Sequence, residues 1–297
     1  MSVVDRALER VRDREELIAI VGPTASGKTA LAAELATRLG GEVIGADSVQ
    51  IYRSFDVGSG KPSEEERARA PHHLVSAIDP LDPMDAAAWA RLAAERIDEV
   101  RGRGRVPIVC GGTFLWIRAL LFGLAGAPAA NEEVRAQHRA IAEAEGRDAL
   151  HARLALVDPA AAARLHPNDF VRTSRALEVF TLSGKTLSAW QEEHAFRQVL
   201  HRACLFAITV DPVTLTERIR ARCVAWLEQG WADEVETLLA RGYGDARAMG
   251  SVGYAQVRAM IAGTLAREDL ETAIVRATRV FARRQRTWLG HAAIEWL

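Results

Sequence analysis

The segment GPTASGKT, Gly22 to Thr29, has the spacing GxxxxGK[ST], and the chemistry of that spacing is phosphate capture. Backbone N–H groups of such a loop ring a phosphate, the following helix adds partial positive charge, Lys28 adds a point charge and Thr29 a hydroxyl for Mg²⁺. Of the 38 basic residues only Lys28, Lys61 and Lys185 are lysine, and each directly follows a glycine. With lysine so scarce, a chance match is on the order of one in several hundred for the chain. Two further groups could act beside a bound phosphate. Asp47 closes a short apolar run, where a carboxylate either accepts a proton or shapes a turn. Thr113 follows Val106–Cys110 and two glycines, where a nucleotide hydrolase carries an acidic holder for its metal. A hydroxyl there argues against ordinary ATP hydrolysis and suits a leaving-group oxygen, or else a helix cap.

These residues need a scaffold that brings strand ends together. Leu17 to Val21 is a short apolar run before the loop, and Leu31, Leu35 and Leu39 follow at helical spacing, which predicts strand, loop and helix. Gly40 and Gly41 stop that helix, and Glu42 to Ala46 has the length and β-branched content of a second strand ending at Asp47. Trp89, Leu92, Ile97 and Val100 mark another helix face, followed by a strand over Val106 to Cys110. The alternation predicts an α/β fold, a phosphate-loop parallel sheet flanked by helices. From 127 to 198 strand signals vanish, with HPND at 166–169 and SGKT at 183–186 as turns, so an all-helical insertion domain is expected there. Residues 1–126 and 199–297 then form one discontinuous catalytic domain, resuming with a strand over Cys204 to Val210 and a helix opened by Asp211 and Pro212.

The 297 residues carry a net charge of −1 and are 49% hydrophobic, which fits a soluble globular protein and excludes a disordered chain. Any nucleic-acid site must then come from positioned cations rather than overall charge. The helical insertion has 10 acidic and 9 basic residues, so it too relies on placed arginines. Cys110, Cys204 and Cys223 are too few and scattered for disulfides or a zinc site and read as buried thiols. No stretch reaches a membrane span and the N-terminus is charged, so a cytoplasmic protein without a membrane partner is expected.

The blocks GPTASGKT, DSVQIYRSFDVGSGKP, APHH, VCGGTFLW, HPNDFVRTSRALEVF, SGKT and SVGY, in this order and spread nearly end to end, resemble the bacterial tRNA dimethylallyltransferases (tRNA isopentenyltransferases). The resemblance implies transfer of a dimethylallyl group from dimethylallyl diphosphate to N6 of adenosine 37 in tRNAs that read codons beginning with U. Gly22, Pro23, Thr24, Ala25, Ser26, Gly27, Lys28 and Thr29 would then grip a diphosphate that leaves, with Mg²⁺ as cofactor. Asp47 would be the catalytic base and Thr113 would stand beside the reacting centre, with Ser48, Val49 and Gln50 facing tRNA. Arg135, the segment Val171, Arg172, Thr173, Ser174 and Arg175, and the segment Gly250, Ser251, Val252, Gly253, Tyr254 and Ala255 match positions that touch tRNA. Phe114 and Trp116 stand where Gly and Tyr are usual, which implies a narrower or differently lined prenyl channel.

The chemistry of the residues agrees with that assignment. An adenine N6 amine needs its proton accepted as the N–C bond forms, and an allylic diphosphate needs its departing charge stabilised. Arg218 and Arg222, four apart on the helix after Asp211, are candidate clamps on the diphosphate or else a solvated face. Arg276, Arg279, Arg283 and Arg286 recur along one helix face, and Arg279 and Arg283 are the central candidates for tRNA phosphates. His72 and His73 lack metal-ligand spacing and read as structural residues of a turn, and Trp190, Trp226, Trp231 and Trp288 as core. The expected partners are a tRNA anticodon stem-loop and dimethylallyl diphosphate, with the protein as a monomer. A prenyltransferase for free adenine nucleotide and a phosphate-loop kinase of a small molecule are the alternatives, neither of which has use for a long helical insertion. ATP is expected to bind weakly without being cleaved.

Overall fold

The computed structural model describes residues 3–11, 16–290 and 293–297. The chain divides into two compact units, Met1–Leu121 with Leu200–Leu297, and Phe122–Val199. Among the described residues no helix is long and apolar enough to cross a membrane.

The first unit is built on six strands, β1 (Leu17–Val21), β2 (Gly41–Gly45), β3 (His72–His73), β4 (Val106–Gly111), β5 (Ala203–Ala207) and β6 (Glu295–Trp296). They are ordered β3-β2-β4-β1-β5-β6, and every neighbouring pair is parallel. A parallel sheet covered on both faces needs continuously apolar strands, and all five residues of β1 are buried. Ile18, Ile20, Val43, Ile108 and Phe206 meet Leu31 and Leu35 of the loop helix Lys28–Leu39 in one core. That helix stops at Gly40, whose φ of 61° is left-handed. Across the sheet, helix Ala86–Gly102 starts at the Asp85 cap and buries Trp89, Ala93, Ile97 and Val100 along one face. Trp89 Nε1 donates to the Gly45 carbonyl at 3.0 Å, fixing the helix to the end of β2.

Four strands match the elements read from the sequence, with ends that differ. β4 runs through Gly111 and β5 ends at Ala207, short of Val210. The APHH segment is not a turn. His72 and His73 form the edge strand β3, paired with Val43 and Ile44, and His73 Nε2 lies 2.6 Å from a Glu42 carboxylate that also takes Arg103 Nη2 at 2.7 Å. β6, two residues long, carries no strand signal of its own in the sequence.

In the second unit, helices Glu132–Glu145, Arg147–Val157, Phe170–Ser183 and Leu187–His194 pack around Leu150, Leu154, Ala176 and Leu177. The expected turn segments act as helix punctuation. Asp169 of HPND accepts from Arg172 N as an N-cap, Gly184 of SGKT ends a helix at φ 68°, and Thr186 caps the next. A fully buried carboxylate, Glu178, accepts from Asn131 N at 2.7 Å, Arg135 Nε at 2.9 Å and Arg175 Nη1 at 2.6 Å. Burial alone would raise the Glu178 carboxyl, but Arg175, the Asn131 amide and Arg135 hold it below its ordinary value.

Candidate active site

Loop chemistry, sheet topology and two crossovers converge at the C-terminal ends of β1, β2 and β4, the edge where parallel sheets assemble their sites. The phosphate loop follows β1. Gly27 takes φ 94°, which glycine adopts freely, while Ala25 takes φ 64°, a left-handed conformation disfavoured for a residue with a Cβ, before Lys28 opens the helix. Close approach governs the other strand end: a Cβ on Gly111 would lie 2.0 Å from the Ala46 carbonyl oxygen, so the glycine lets β4 end against β2.

That approach places Thr113 on both flanks of Asp47. Thr113 N donates to the Ala46 carbonyl at 3.1 Å, and its Oγ1 accepts from Ser48 N at 3.0 Å. Asp47 Oδ1 accepts from Val49 N at 2.9 Å and Gln50 N at 3.3 Å. With Oδ1 committed to two amides, Oδ2 is the oxygen left for a proton, and the Thr113 hydroxyl keeps its own proton for donation.

Two cavities open here. The first, about 280 Å³, is walled by Thr24, Ala25, Gly27, Lys28 and Thr29 of the loop together with Asp47, Gln50, Arg218 and Arg222. The second, about 320 Å³, is lined by Ser48, Val49, Thr113, Trp226, Trp231, Val252 and Phe281 among others. Thr24, Asp47, Ser59 and Arg222 belong to both walls. Arg222 Nη2 donates to Thr24 Oγ1 at 2.6 Å while its guanidinium lies 4.5 Å over the Trp226 ring. Burial pushes the Arg222 guanidinium down to about 10, with Asp47 pulling the other way, so it remains a cation at neutral pH. Burial likewise lowers Lys28, against the pull of Cys110 and Asp47. Two partly desolvated cations beside one carboxylate make a compartment suited to an anion. Cys110, behind Lys28, is pushed up to about 12 by burial and stays a neutral thiol.

The wall between the cavities is held by residues that lack chemistry of their own. Glu234 accepts from Asp56 N and Val57 N at 2.8 and 2.7 Å and from the Tyr254 hydroxyl at 2.6 Å, joining the DVGSGK loop to the SVGY turn. Lys61 Nζ donates to Tyr52 O and Asp56 Oδ1, both at 2.7 Å, so this lysine latches the loop internally. Trp231 fills the gap, since a Cβ on Gly58 or Gly253 would come within 2.0 or 2.2 Å of its indole.

The structure places several of the expected site residues away from the cavity walls. Gly253 and Tyr254 are buried, Tyr254 with 1% of its surface exposed, and support the turn from inside, while Gly250, Ser251 and Val252 line the second cavity and Ala255 is half-buried. In the helical unit Thr173 is 1% exposed and Ser174 bonds His138 Nδ1 at 2.9 Å, so both face its core; Val171 and Arg172 face outward. Arg135 and Arg175 are half-buried around Glu178 rather than free cations. Phe114 and Trp116 line neither cavity: Trp116 stacks on Trp89 with centroids 5.4 Å apart, so the departure at these positions alters packing and not a channel wall. Trp231 is core as read, with 1% of its surface exposed, and also backs the second cavity; Trp226 is half-buried on that cavity's wall, and Trp288 is exposed.

The terminal helix Leu270–Leu289 presents Arg276, Arg279, Arg283 and Arg286 to solvent, and Glu271 in its first turn pairs with Arg220 at 3.6 Å instead. On its inner face lies a residue the sequence reading missed. Gln285 Oε1 accepts from Thr24 N at 2.9 Å and its Nε2 donates to Gly112 O at 3.0 Å.

Residues 50–292 match the family model described as IPP transferase, and residues 15–71 match the isopentenyl transferase model. A tRNA dimethylallyltransferase of Sorangium cellulosum is 64% identical over 282 residues, 95% of this chain and 90% of that protein. One from Geobacter sulfurreducens is 46% identical over 286 residues, 96% and 92% of the two chains. Among solved structures, the tRNA isopentenylpyrophosphate transferase of Bacillus halodurans superposes with a TM-score of 0.70 at 35% identity, covering 96% of this chain and 90% of its own. A eukaryotic dimethylallyltransferase captured acting on tRNA gives a TM-score of 0.76 at 25% identity, covering 93% of this chain and 70% of its own.

Proposed function

This chain belongs to the tRNA dimethylallyltransferase family, and from that premise we propose that it moves a dimethylallyl group from dimethylallyl diphosphate to N6 of adenosine 37 in tRNAs reading codons that begin with U. It is a prenyltransferase. The observation that carries the reading is the pair of cavities that share Asp47, Thr24 and Arg222: one is lined with phosphate-binding groups, the other with aromatic and aliphatic side chains. A diphosphate and an organic acceptor thus have separate compartments, with a carboxylate on the wall of both. A kinase or hydrolase reading lacks support because β4 ends at Gly111 and is followed by Gly112 and Thr113, without an acidic residue.

In this reading the N6 lone pair forms a bond to the allylic carbon, the carbon–oxygen bond to diphosphate breaks, and the N6 proton passes to Asp47 Oδ2. Lys28, Arg222 and the loop amides take the charge that accumulates on the departing oxygens. Arg218, exposed at the rim of the first cavity, adds to that field. Thr113 holds Ser48 and Ala46 so that Asp47 keeps its direction.

Among the described residues no cluster of three or more His, Cys, Asp or Glu side chains could hold a metal. The Thr29 hydroxyl on the first cavity's wall, with diphosphate oxygens, makes a hard oxygen donor set that fits Mg²⁺. Bound there, Mg²⁺ supplies further neutralisation of the leaving diphosphate. The helical unit and the outer face of the terminal helix are assigned to the tRNA anticodon arm, in the cytoplasm.

The test is acceptor choice. With labelled dimethylallyl diphosphate and either bulk tRNA or AMP, label is expected on tRNA; label on AMP sinks the proposal in favour of a free-nucleotide enzyme. A second expectation concerns the arginine face. If Arg279 and Arg283 meet tRNA phosphates, replacing both with Ala flattens the slope of log K against log salt by up to about 2. Titrations at several salt concentrations measure this, and an unchanged slope makes the face merely solvated.

A further inference from the structure

The terminal helix buries Ile274, Thr278, Ala282, Gln285 and Leu289 along its inner face. Gln285 is the one carboxamide among them and is 8% exposed. Both ends of that carboxamide are used, and on different crossovers: Oε1 takes Thr24 N of the phosphate loop after β1, and Nε2 gives to Gly112 O of the turn after β4. Each partner leads directly to a reacting group. Thr24 Oγ1 accepts from Arg222, and the residue after Gly112 is Thr113, which is bonded on both sides of Asp47.

We propose that Gln285 is a positioning residue, whose carboxamide sets the separation between the phosphate loop and the Thr113 turn and so between the departing diphosphate and the proton acceptor. The proposal rests on reading this site as a dimethylallyl transfer centre. Its physical basis is that an amide matches one donor and one acceptor at once, which neither an acid, a base nor an apolar side chain of that length does in its ordinary state. Strand pairing between β1 and β4 ends at Val21 and Gly111, before either segment begins. Gly112 leaves room for the carboxamide, since a Cβ there would stand 2.3 Å from Gln285 Nε2.

Two variants test this by different routes. Gln285→Met keeps length and bulk but removes both hydrogen bonds, whereas Gly112→Ala keeps the glutamine and displaces its carboxamide. For each, the single-turnover rate of dimethylallyl transfer with saturating tRNA is expected to fall about 10- to 100-fold, because small misplacement of reacting groups costs that much. The tRNA Kd should stay within about threefold and the melting temperature close to wild type, a split that a packing role does not produce. Wild-type rates in both variants overturn the proposal, as does a rate loss that only parallels weaker tRNA binding and lower melting. If Gln285→Met fails to fold, Gly112→Ala decides alone. Failure of the wild-type protein to label tRNA overturns the functional reading itself, and is thereby distinguished from failure of the positioning role.

Discussion

Asp47→Asn is expected to lower the single-turnover rate of dimethylallyl transfer by about 10² to 10⁴ while tRNA affinity stays within about threefold. The size follows from what the substitution preserves. Asparagine can keep Oδ1 as the acceptor for Val49 N and Gln50 N, so the turn after β2 retains its hydrogen bonds. Its amide nitrogen then replaces Oδ2, and a group that could accept a proton becomes one that only donates. Because the amide is isosteric, loss of rate with retained binding isolates proton acceptance from shape. Single-turnover assays alongside tRNA titration make the separation, and near-normal turnover in the variant removes Asp47 from the proposed mechanism.

Lys28→Ala is expected to reduce transfer roughly 10³-fold, through the charge it removes from the leaving diphosphate. Arg222 remains, but its guanidinium is held by Thr24 Oγ1 and stacked on Trp226, so it is not free to move into the place of the lost ammonium. The same prediction has a wild-type arm. The residues after β4 offer no acidic metal holder, so transfer should proceed with Mg²⁺ and dimethylallyl diphosphate in nucleotide-free buffer. A strict requirement for ATP, or ATP hydrolysis stimulated by tRNA, overturns the leaving-group role of the loop.

What was legible in the sequence follows the strength of local signals. β1, β2 and β4 are almost wholly buried apolar runs and β5 is partly buried, and length and composition suffice to find all four, although nothing after Ala207 marks where β5 stops. β3 and β6 have two residues each, too few for any period, and owe their form to the neighbouring strand. Motif resemblance located the segments around Thr173 and Tyr254, but a motif does not distinguish a residue that touches a ligand from one that holds the segment in shape. Only burial and hydrogen-bond partners separate those roles. Gln285 was missed because the helix was read through its exposed arginines. The signal was present on the other face: one carboxamide between Ala282 and Leu289 at helical spacing, a polar group on an apolar stripe that requires partners.

The connection between the two units has a consequence for how the chain reaches its native state. Leu200 N and His201 N both donate to the Leu121 carbonyl, at 2.8 and 3.2 Å, so residues 122–199 leave the sheet-bearing unit and return to it at one point. β1, the central strand, needs β5 on one side, and the Leu17 to Ala203 pairing spans that excursion. Closing a disordered excursion of this length costs about 4 kcal/mol of chain entropy, a term that grows only logarithmically with length. If the helices fold first, around contacts close in sequence, the excursion is already short-circuited when β5 arrives. During synthesis the phosphate loop is made early, yet its strand remains without one neighbour until the helical segment has been translated and β5 has followed it. Maturation of the catalytic sheet is thus timed by the segment inserted into it.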